Sequence, residues 1–231
     1  SRLSGMRVLH VIATGQRRGA EVFAADLVAA MAAPQVRQHV AVLHGVPPWA
    51  VGFTVPSTAL GGRAGRFHPG AVWRLRRLLR DWRPDVIQAH GGQPLKYLAL
   101  AAGVRSPPIV YRRIGSVSWL SSRPRRVLYG RLVRRAARVV AVAESVREET
   151  VAAFRLPEAR IVTIPNGVDP RRLAPGRRAP ADRRPVRRDA ALGPRRRRRA
   201  AEQVEQRGVA LGAVHHDDLV DRLLLHRGQR P

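Results

Sequence analysis

The chain has 231 residues, with 43 Lys and Arg against 16 Asp and Glu, which gives a formal net charge of +27. The absence of cysteine excludes disulfides, zinc–thiolate sites and thiol nucleophiles. No window approaches the roughly 18 uninterrupted apolar residues of a transmembrane helix. The apolar run near the N-terminus is too short for a signal peptide. The absence of cysteine fits a cytosolic protein, so we expect a cytoplasmic location, with peripheral association at the inner face of the membrane as the alternative.

Strand-like and helix-like patterns alternate from residue 6 to residue 166. The runs typical of buried strands are, in chain order, MRVLHVIA, QHVAVLHG, VGFTVPSTAL, PDVIQAH, PPIVYRRIG, ARVVAVA and ARIVTIPNG. The helical patterns between them are AEVFAADLVAAMAA, HPGAVWRLRRLLRDWRP, QPLKYLALAAG, SRPRRVLYGRLVRRA and ESVREETVAAF. Helical crossovers join parallel strands, so residues 6–169 are predicted to form a doubly wound, Rossmann-like α/β domain.

The pattern stops after Asp169. Residues 170–199 contain five prolines and the run RRRRR, and no apolar period of 2 or 3.6 survives. Such a composition buries too little apolar surface to offset the entropy of ordering the chain. We therefore predict a mostly disordered basic tail over 170–231, with short helices within 200–226.

Ligands of doubly wound sheets bind beyond the carboxyl ends of the strands. The first such loop, TGQRRGAEVF, has three residues between Gly15 and Gly19, which is not the GxGxxG dinucleotide fingerprint. A glycine here lets backbone N–H groups approach an anion at a helix N-terminus. A plain strand-to-helix turn explains the same spacing, and the spacing alone favours it.

Two further loops carry candidate residues. In RPDVIQAHGGQP, His90 stands one residue past the predicted strand, where an imidazole can donate or accept a hydrogen bond to a ligand. A loop histidine without a role is an equally good interpretation. Asn166 and Gly167 follow the last strand and form a turn signal by themselves. No pair of carboxylates has a convincing acid–base arrangement.

Taken together, RRGAE, RPDVIQAHGG, VVAVAESVREE and RIVTIPNGVD, in this order, resemble the N-terminal half of the retaining family-4 glycosyltransferases of the GT-B fold. The resemblance covers residues 6–169. It implies an acceptor-binding domain that faces a second, donor-binding domain across a cleft. It also implies transfer of a sugar from a nucleotide-sugar with retention at the anomeric carbon, with no metal or other cofactor.

The resemblance also assigns residues. Arg18 and Gly19 occupy the place of the family's Gly-Gly loop, which approaches the donor phosphates, and Glu21 matches the glutamate after that loop. His90 matches the histidine that reaches the transferred sugar, and Gly91 is counted with it among the substrate-binding residues. Asn166 and Gly167 begin the NGVD segment that leads into the interdomain linker.

In the family, NGVD leads into a donor-binding domain with a basic pair and a Glu-x7-Glu motif, and neither follows here. The hypothesis is a reading-frame shift near residues 170–180, or a degraded gene, because out-of-frame reading of GC-rich DNA produces Arg- and Pro-rich sequence. A truncated enzyme of this kind is expected to be weakly active or inactive alone. The DNA downstream of codon 170, read in all frames, tests the hypothesis.

A second function class is a basic binding module without catalysis. The helix SRPRRVLYGRLVRRA carries Val127, Leu128, Leu132 and Val133 beside seven arginines at 123–138, a composition that can lie on an anionic membrane surface. An ordinary amphipathic helix that covers the sheet is the other interpretation, and the one that we favour. The positive charge also predicts nonspecific adhesion to nucleic acid, without any motif for a nucleic-acid function.

Overall fold

The computed structural model of the chain describes residues 5–63, 67–103, 106–115 and 123–167. The chain divides into two units, Ser1–Asn166 and Gly167–Pro231, and Gly167 is the one described residue of the second. The predicted tail at 170–231, with its short helices at 200–226, lies outside the described residues. The fold below is that of the first unit.

Seven strands form one parallel sheet: β1 (Met6–Thr14), β2 (Val36–His44), β3 (Ser57–Gly62), β4 (Val86–His90), β5 (Ile109–Arg113), β6 (Arg138–Ala141) and β7 (Ile161–Thr163). The helices are α1 (Gly19–Ala30), α2 (Pro69–Trp82), α3 (Gly92–Ala101), α4 (Arg123–Arg134) and α5 (Glu144–Phe154), and a 3-10 turn spans Glu158–Arg160. The strand order is β3-β2-β1-β4-β5-β6-β7, and every neighbouring pair is parallel. The predicted Rossmann-like α/β fold is confirmed.

The two faces of the sheet bury different side chains, because successive residues of a strand point to opposite faces. One face, with Leu9 and Val11 of β1, packs against α2, α3, α4 and α5 in a large apolar core. The other face packs Ile12 against Ala24 and Val28 of α1 in a smaller core. The helices therefore cover both faces, as a parallel sheet requires.

The third strand and the first helix are among the predicted elements whose bounds differ from the observed ones. The third strand begins at Ser57 rather than near Val51, and the segment before it packs Trp49, Phe53 and Val55 against the core beneath α1. Apolar side chains at every second position from Trp49 to Val55 therefore belong to a packed connection and not to a strand. Helix α1 ends at Ala30, four residues before Pro34.

Helix α4 shows where the basic segment lies. Its residues Tyr129, Gly130 and Val133 are buried toward the sheet, while Val127 and Leu128 are 50% and 60% exposed. The favoured interpretation, a helix that covers the sheet, therefore holds for Val133, which is buried. It does not hold for Val127 and Leu128. Within the described residues, no helix has the length and apolar character needed to cross a bilayer.

Candidate functional site

The strand order reverses between β1 and β4. The chain moves from β1 outward through β2 and β3, then returns to β4 on the other side of β1 and continues to β7. The connections that leave the carboxyl ends of β1 and β4 therefore diverge, and the crevice between them is where open α/β sheets bind ligands. The candidate site is built from the residues at this switch point.

Buried polar side chains join the strands at the switch point. His10 of β1 and His90 of β4 approach within 3.2 Å, Nδ1 to Nε2, and their rings stack with centroids 5.5 Å apart. The other ring nitrogen of His10, Nε2, lies 3.1 Å from Oε1 of Gln38 on β2. Burying a polar side chain is unfavourable unless its polar atoms form hydrogen bonds. These contacts pair both ring nitrogens of His10 and one ring nitrogen of His90.

Both imidazoles are held neutral. Burial lowers the pKa of His10 to about 4, and the Gln38 contact opposes that shift only in part. Burial lowers the pKa of His90 well below its usual value, and the nearby His10 and Arg112 lower it further. At neutral pH the pair therefore offers one donor and one acceptor nitrogen per ring, and no charge.

Arg112, the neighbour of His90 on β5, supplies the positive charge of the site. The two residues are register partners, so their side chains extend from the same face of the sheet. The Arg112 guanidinium lies 3.5 Å above the ring of Phe23, and its Nη2 donates to the side-chain oxygen of Asn166. Its Nη1 is buried without a partner. Burial lowers the pKa of Arg112 to about 10, so the side chain remains charged at neutral pH.

A cavity of about 410 Å³ opens at the carboxyl ends of β1, β2 and β3. Its lining includes Thr14, His44, Trp49 and Arg63. Gly15 also lines it, and a Cβ there would overlap the indole ring of Trp49, so this loop glycine is required by packing. His44 reaches Oε1 of a glutamine of α3, Gln93, through Nε2 at 3.2 Å, and its Nδ1 has no partner.

The residues predicted in the first loop form a structural unit. Arg18 is the exposed N-cap of α1, without a side-chain capping bond, and Gly19 begins the helix. Glu21 is 3% exposed, and it accepts a hydrogen bond from the hydroxyl of Thr14 at 3.3 Å. Glu21 thus ties the first turn of α1 to the end of β1, and its ligand role stays a prediction.

The structure corrects the predicted position of His90. It is the last residue of β4 rather than a loop residue, and it is 2% exposed. Gly91 follows as the N-cap of α3 at φ +100°, a conformation that side chains rarely adopt, and its N–H donates to the Arg112 carbonyl oxygen at 3.2 Å. Asn166 joins the same cluster through Arg112. Gly167 is exposed and belongs to the second unit.

Four residues were not predicted from the sequence: His10, Gln38, Arg112 and the cavity residue His44. All four are polar side chains in strands that are otherwise apolar, and all are at least 92% buried. That pattern was the available signal, because a polar residue inside a buried strand needs a partner. Within the residues the structure describes, no group of three or more His, Asp or Glu could hold a metal ion.

The geometry thus defines a Rossmann-like α/β domain with a buried polar cluster at its topological switch point. The family model of Glycosyltransferase Family 4 matches residues 17–172, more than half of the sequence. The chain therefore belongs to Glycosyltransferase Family 4, and the recognition from sequence motifs is confirmed. No curated protein matches the chain.

Solved structures show the same fold. HepE from Anabaena in complex with UDP is similar with a TM-score of 0.55 at 19% identity, over 71% of this chain and 45% of that one. UDP-N-acetylglucosamine 2-epimerase from Rickettsia bellii gives 0.53 at 13% identity, over 70% and 45%. The lipopolysaccharide outer core galactosyltransferase WaaB gives 0.53 at 11% identity, over 71% and 46%. The chain spans less than half the length of these proteins.

Proposed function

We propose that residues 5–167 form the acceptor-side wall of a retaining glycosyltransferase that uses a nucleotide-sugar donor and no metal. The observation that carries the proposal is the cluster at the switch point of a family-4 domain in which the buried pair His90 and Arg112 meets the exposed Asn166. Its neutral imidazole, guanidinium and amide are groups that hydrogen-bond sugar hydroxyls. HepE in complex with UDP-glucose, which is similar in fold, supports a nucleotide-sugar as the donor class.

The helix N-termini at the site suit the diphosphate of such a donor, and the polar cluster suits its sugar. The N-termini of α1 and α3 lie at the carboxyl edge of the sheet, and neither N-cap residue makes a side-chain capping bond. Helix N-termini attract phosphate oxygens. We place the diphosphate near Gly19 and the sugar near His90, with the acceptor in the cavity lined by His44 and Trp49.

We expect weak catalysis from residues 5–167. Sugar transfer requires preorganised charge around the departing diphosphate, and donor and acceptor must be held in one orientation. The described residues supply one wall of that arrangement. A second wall would come from a nucleotide-binding domain.

The test is release of nucleoside diphosphate from UDP-glucose, UDP-N-acetylglucosamine and GDP-mannose by the full chain, in the presence of a panel of sugar acceptors. We expect slow release that is unchanged by EDTA and at least tenfold slower in His90→Ala. His39→Ala is the matched control, because His39 is a half-buried strand histidine with one side-chain hydrogen bond, near Trp82 on the opposite face of the sheet. Equal rates in the His90→Ala and His39→Ala variants, or a product with inverted anomeric configuration, would contradict the proposal.

A second candidate function, binding to an anionic membrane surface, is favoured by one observation. Exposed Val127 and Leu128 on α4 adjoin a groove of about 340 Å³ whose lining includes Lys96, Arg125 and Leu132. Apolar side chains flanked by cations are the combination that membrane-surface helices use. Co-sedimentation with phosphatidylglycerol vesicles should weaken as salt rises, and in a Leu128→Ser variant. Sedimentation that is insensitive to both would exclude this surface.

A further inference from the structure

The hydrogen bonds of Gln38 have a fixed direction. Its side-chain Nε2 lies 3.0 Å from the backbone carbonyl oxygen of Val28, which can only accept. The amide nitrogen therefore faces Val28, and the amide oxygen, Oε1, faces His10. That oxygen can only accept, so Nε2 of His10 must carry a proton.

The direction of the hydrogen bond between His10 and Gln38 also fixes the direction of the bond between His10 and His90. Because burial keeps His10 neutral, a proton on its Nε2 leaves Nδ1 as an acceptor. The partner of that acceptor, Nε2 of His90 at 3.2 Å, must then be the donor. His90 is neutral as well, so its Nδ1 is left with a lone pair and no proton.

Two unpartnered groups of opposite character result. Nδ1 of His90 is a buried acceptor and Nη1 of Arg112 is a buried donor, and neither has a hydrogen-bond partner. The two residues are Cα register partners on adjacent strands, 2% exposed each. An unsatisfied buried polar group is destabilising, which makes a ligand that satisfies both groups favourable.

We propose that Gln38 and His10 are positioning residues that hold His90 in its Nε2–H tautomer, so that His90 Nδ1 and Arg112 Nη1 form a subsite for one hydroxyl group. A hydroxyl fits because it accepts a hydrogen bond from Arg112 while it donates one to His90. A phosphate or carboxylate oxygen satisfies Arg112 but repels the lone pair of His90. That the hydroxyl belongs to a sugar rests on the proposed function, whereas the tautomer does not.

The test reads the tautomer directly in the full chain, labelled with ¹⁵N at histidine, from long-range ¹H–¹⁵N correlations of the imidazole rings at pH 7. Variants at single histidines assign the signals. We expect His10 and His90 as Nε2–H tautomers, each with an unprotonated Nδ1. A proton on Nδ1 of His90 overturns the proposal.

Two substitutions at one position separate positioning from packing. Gln38→Glu and Gln38→Met both remove the donor to the Val28 carbonyl, but only Gln38→Glu keeps an acceptor for His10. We expect His90 to remain an Nε2–H tautomer in Gln38→Glu and to become a mixture of tautomers in Gln38→Met. Unchanged His90 signals in a folded Gln38→Met variant would show that the hydrogen bonds from Gln38 through His10 do not determine the tautomer of His90.

The ligand is tested with UDP-glucose and with inorganic phosphate as probes. We expect UDP-glucose to shift the Nδ1 resonance of His90 toward that of a hydrogen-bonded nitrogen, and phosphate to leave it in place. An equal shift with phosphate overturns the hydroxyl subsite. No shift with UDP-glucose, at an unchanged tautomer, overturns the sugar assignment and counts against the proposed function, while the positioning role stands on the Gln38 variants.

Discussion

The two faces of the central strands contrast in chemistry. Toward α2–α5, β1 and β4 present Leu9, Val11 and Ile87, all fully buried in the large apolar core. Toward α1, the same strands present His10 and His90, which are equally buried but polar. The first face gains free energy from burial, about 25 cal/mol per Å². The second face gives up part of that gain to hold hydrogen-bonding groups at the switch point, as functional sites often do.

The largest expected effect comes from a change on the apolar face. Leu9→Ala should lower the free energy of unfolding by about 2–5 kcal/mol, because it removes a fully buried side chain and leaves a cavity that the sheet cannot close. Urea unfolding followed by circular dichroism measures the loss. A loss below about 1 kcal/mol would show that this face is not the main source of stability.

Lowering the pH should reduce the stability of the protein through His10 on the polar face. The pKa of His10 is about 4 when folded against an ordinary value of 6.5, so below pH 6.5 the unfolded chain binds more protons than the folded chain. Stability is therefore complete above pH 6.5 and falls toward pH 4, by up to about 1.4 kcal/mol per pH unit from this residue. Urea midpoints across this range should slope less steeply in His10→Phe, and equal slopes would contradict the assignment.

A substitution at Arg112 should separate function from stability. The described residues place no carboxylate against its guanidinium, and a buried cation without an acidic partner is expensive to keep. Arg112→Met should leave the free energy of unfolding unchanged or raise it by about 1 kcal/mol, and should weaken sugar-nucleotide binding about tenfold. Unfolding curves and calorimetric titration measure the two effects. If Arg112→Met strongly lowers the free energy of unfolding but binds sugar-nucleotide normally, the polar face serves stability and not binding, which contradicts the proposal.

The smallest effect on stability should come from the exposed side of α4. Replacing Val127 and Leu128 together by serine should change the free energy of unfolding by less than about 0.5 kcal/mol, since both side chains are at least half exposed. The same variant should bind anionic vesicles more weakly. A large loss of stability would mean that these residues belong to the core and not to a free surface.

The fold was largely predictable because it depends on local patterns. Apolar runs and helical periods gave all seven strands and five helices in their correct order, and the length of the crossovers gave the parallel sheet. Residues 51–56 were the main error. There the side chains are apolar because a connection packs on the core, which a periodicity test does not separate from a strand.

The site was predictable only where a motif marked it. His90 and Asn166 were found through the family resemblance, but the partners that define their chemistry were not. His10 contacts Gln38, 28 residues away, and His90, 80 residues away, so both contacts depend on the register of strands that the sequence does not state. The orientation of Arg112 over Phe23 depends in the same way on the packing of α1.

The most direct test of the central claim is a titration of the ²H,¹⁵N-labelled chain with UDP-glucose, followed through backbone amide resonances. If the switch point is the sugar-binding wall of a glycosyltransferase, shifts should concentrate at Gly15, Gly91 and Arg112, at the carboxyl ends of β1, β4 and β5. Residues at the opposite edge, such as Arg7 and Asp85, should not move. Shifts confined to that opposite edge or to α4, or no shifts at saturating concentration, would contradict the account.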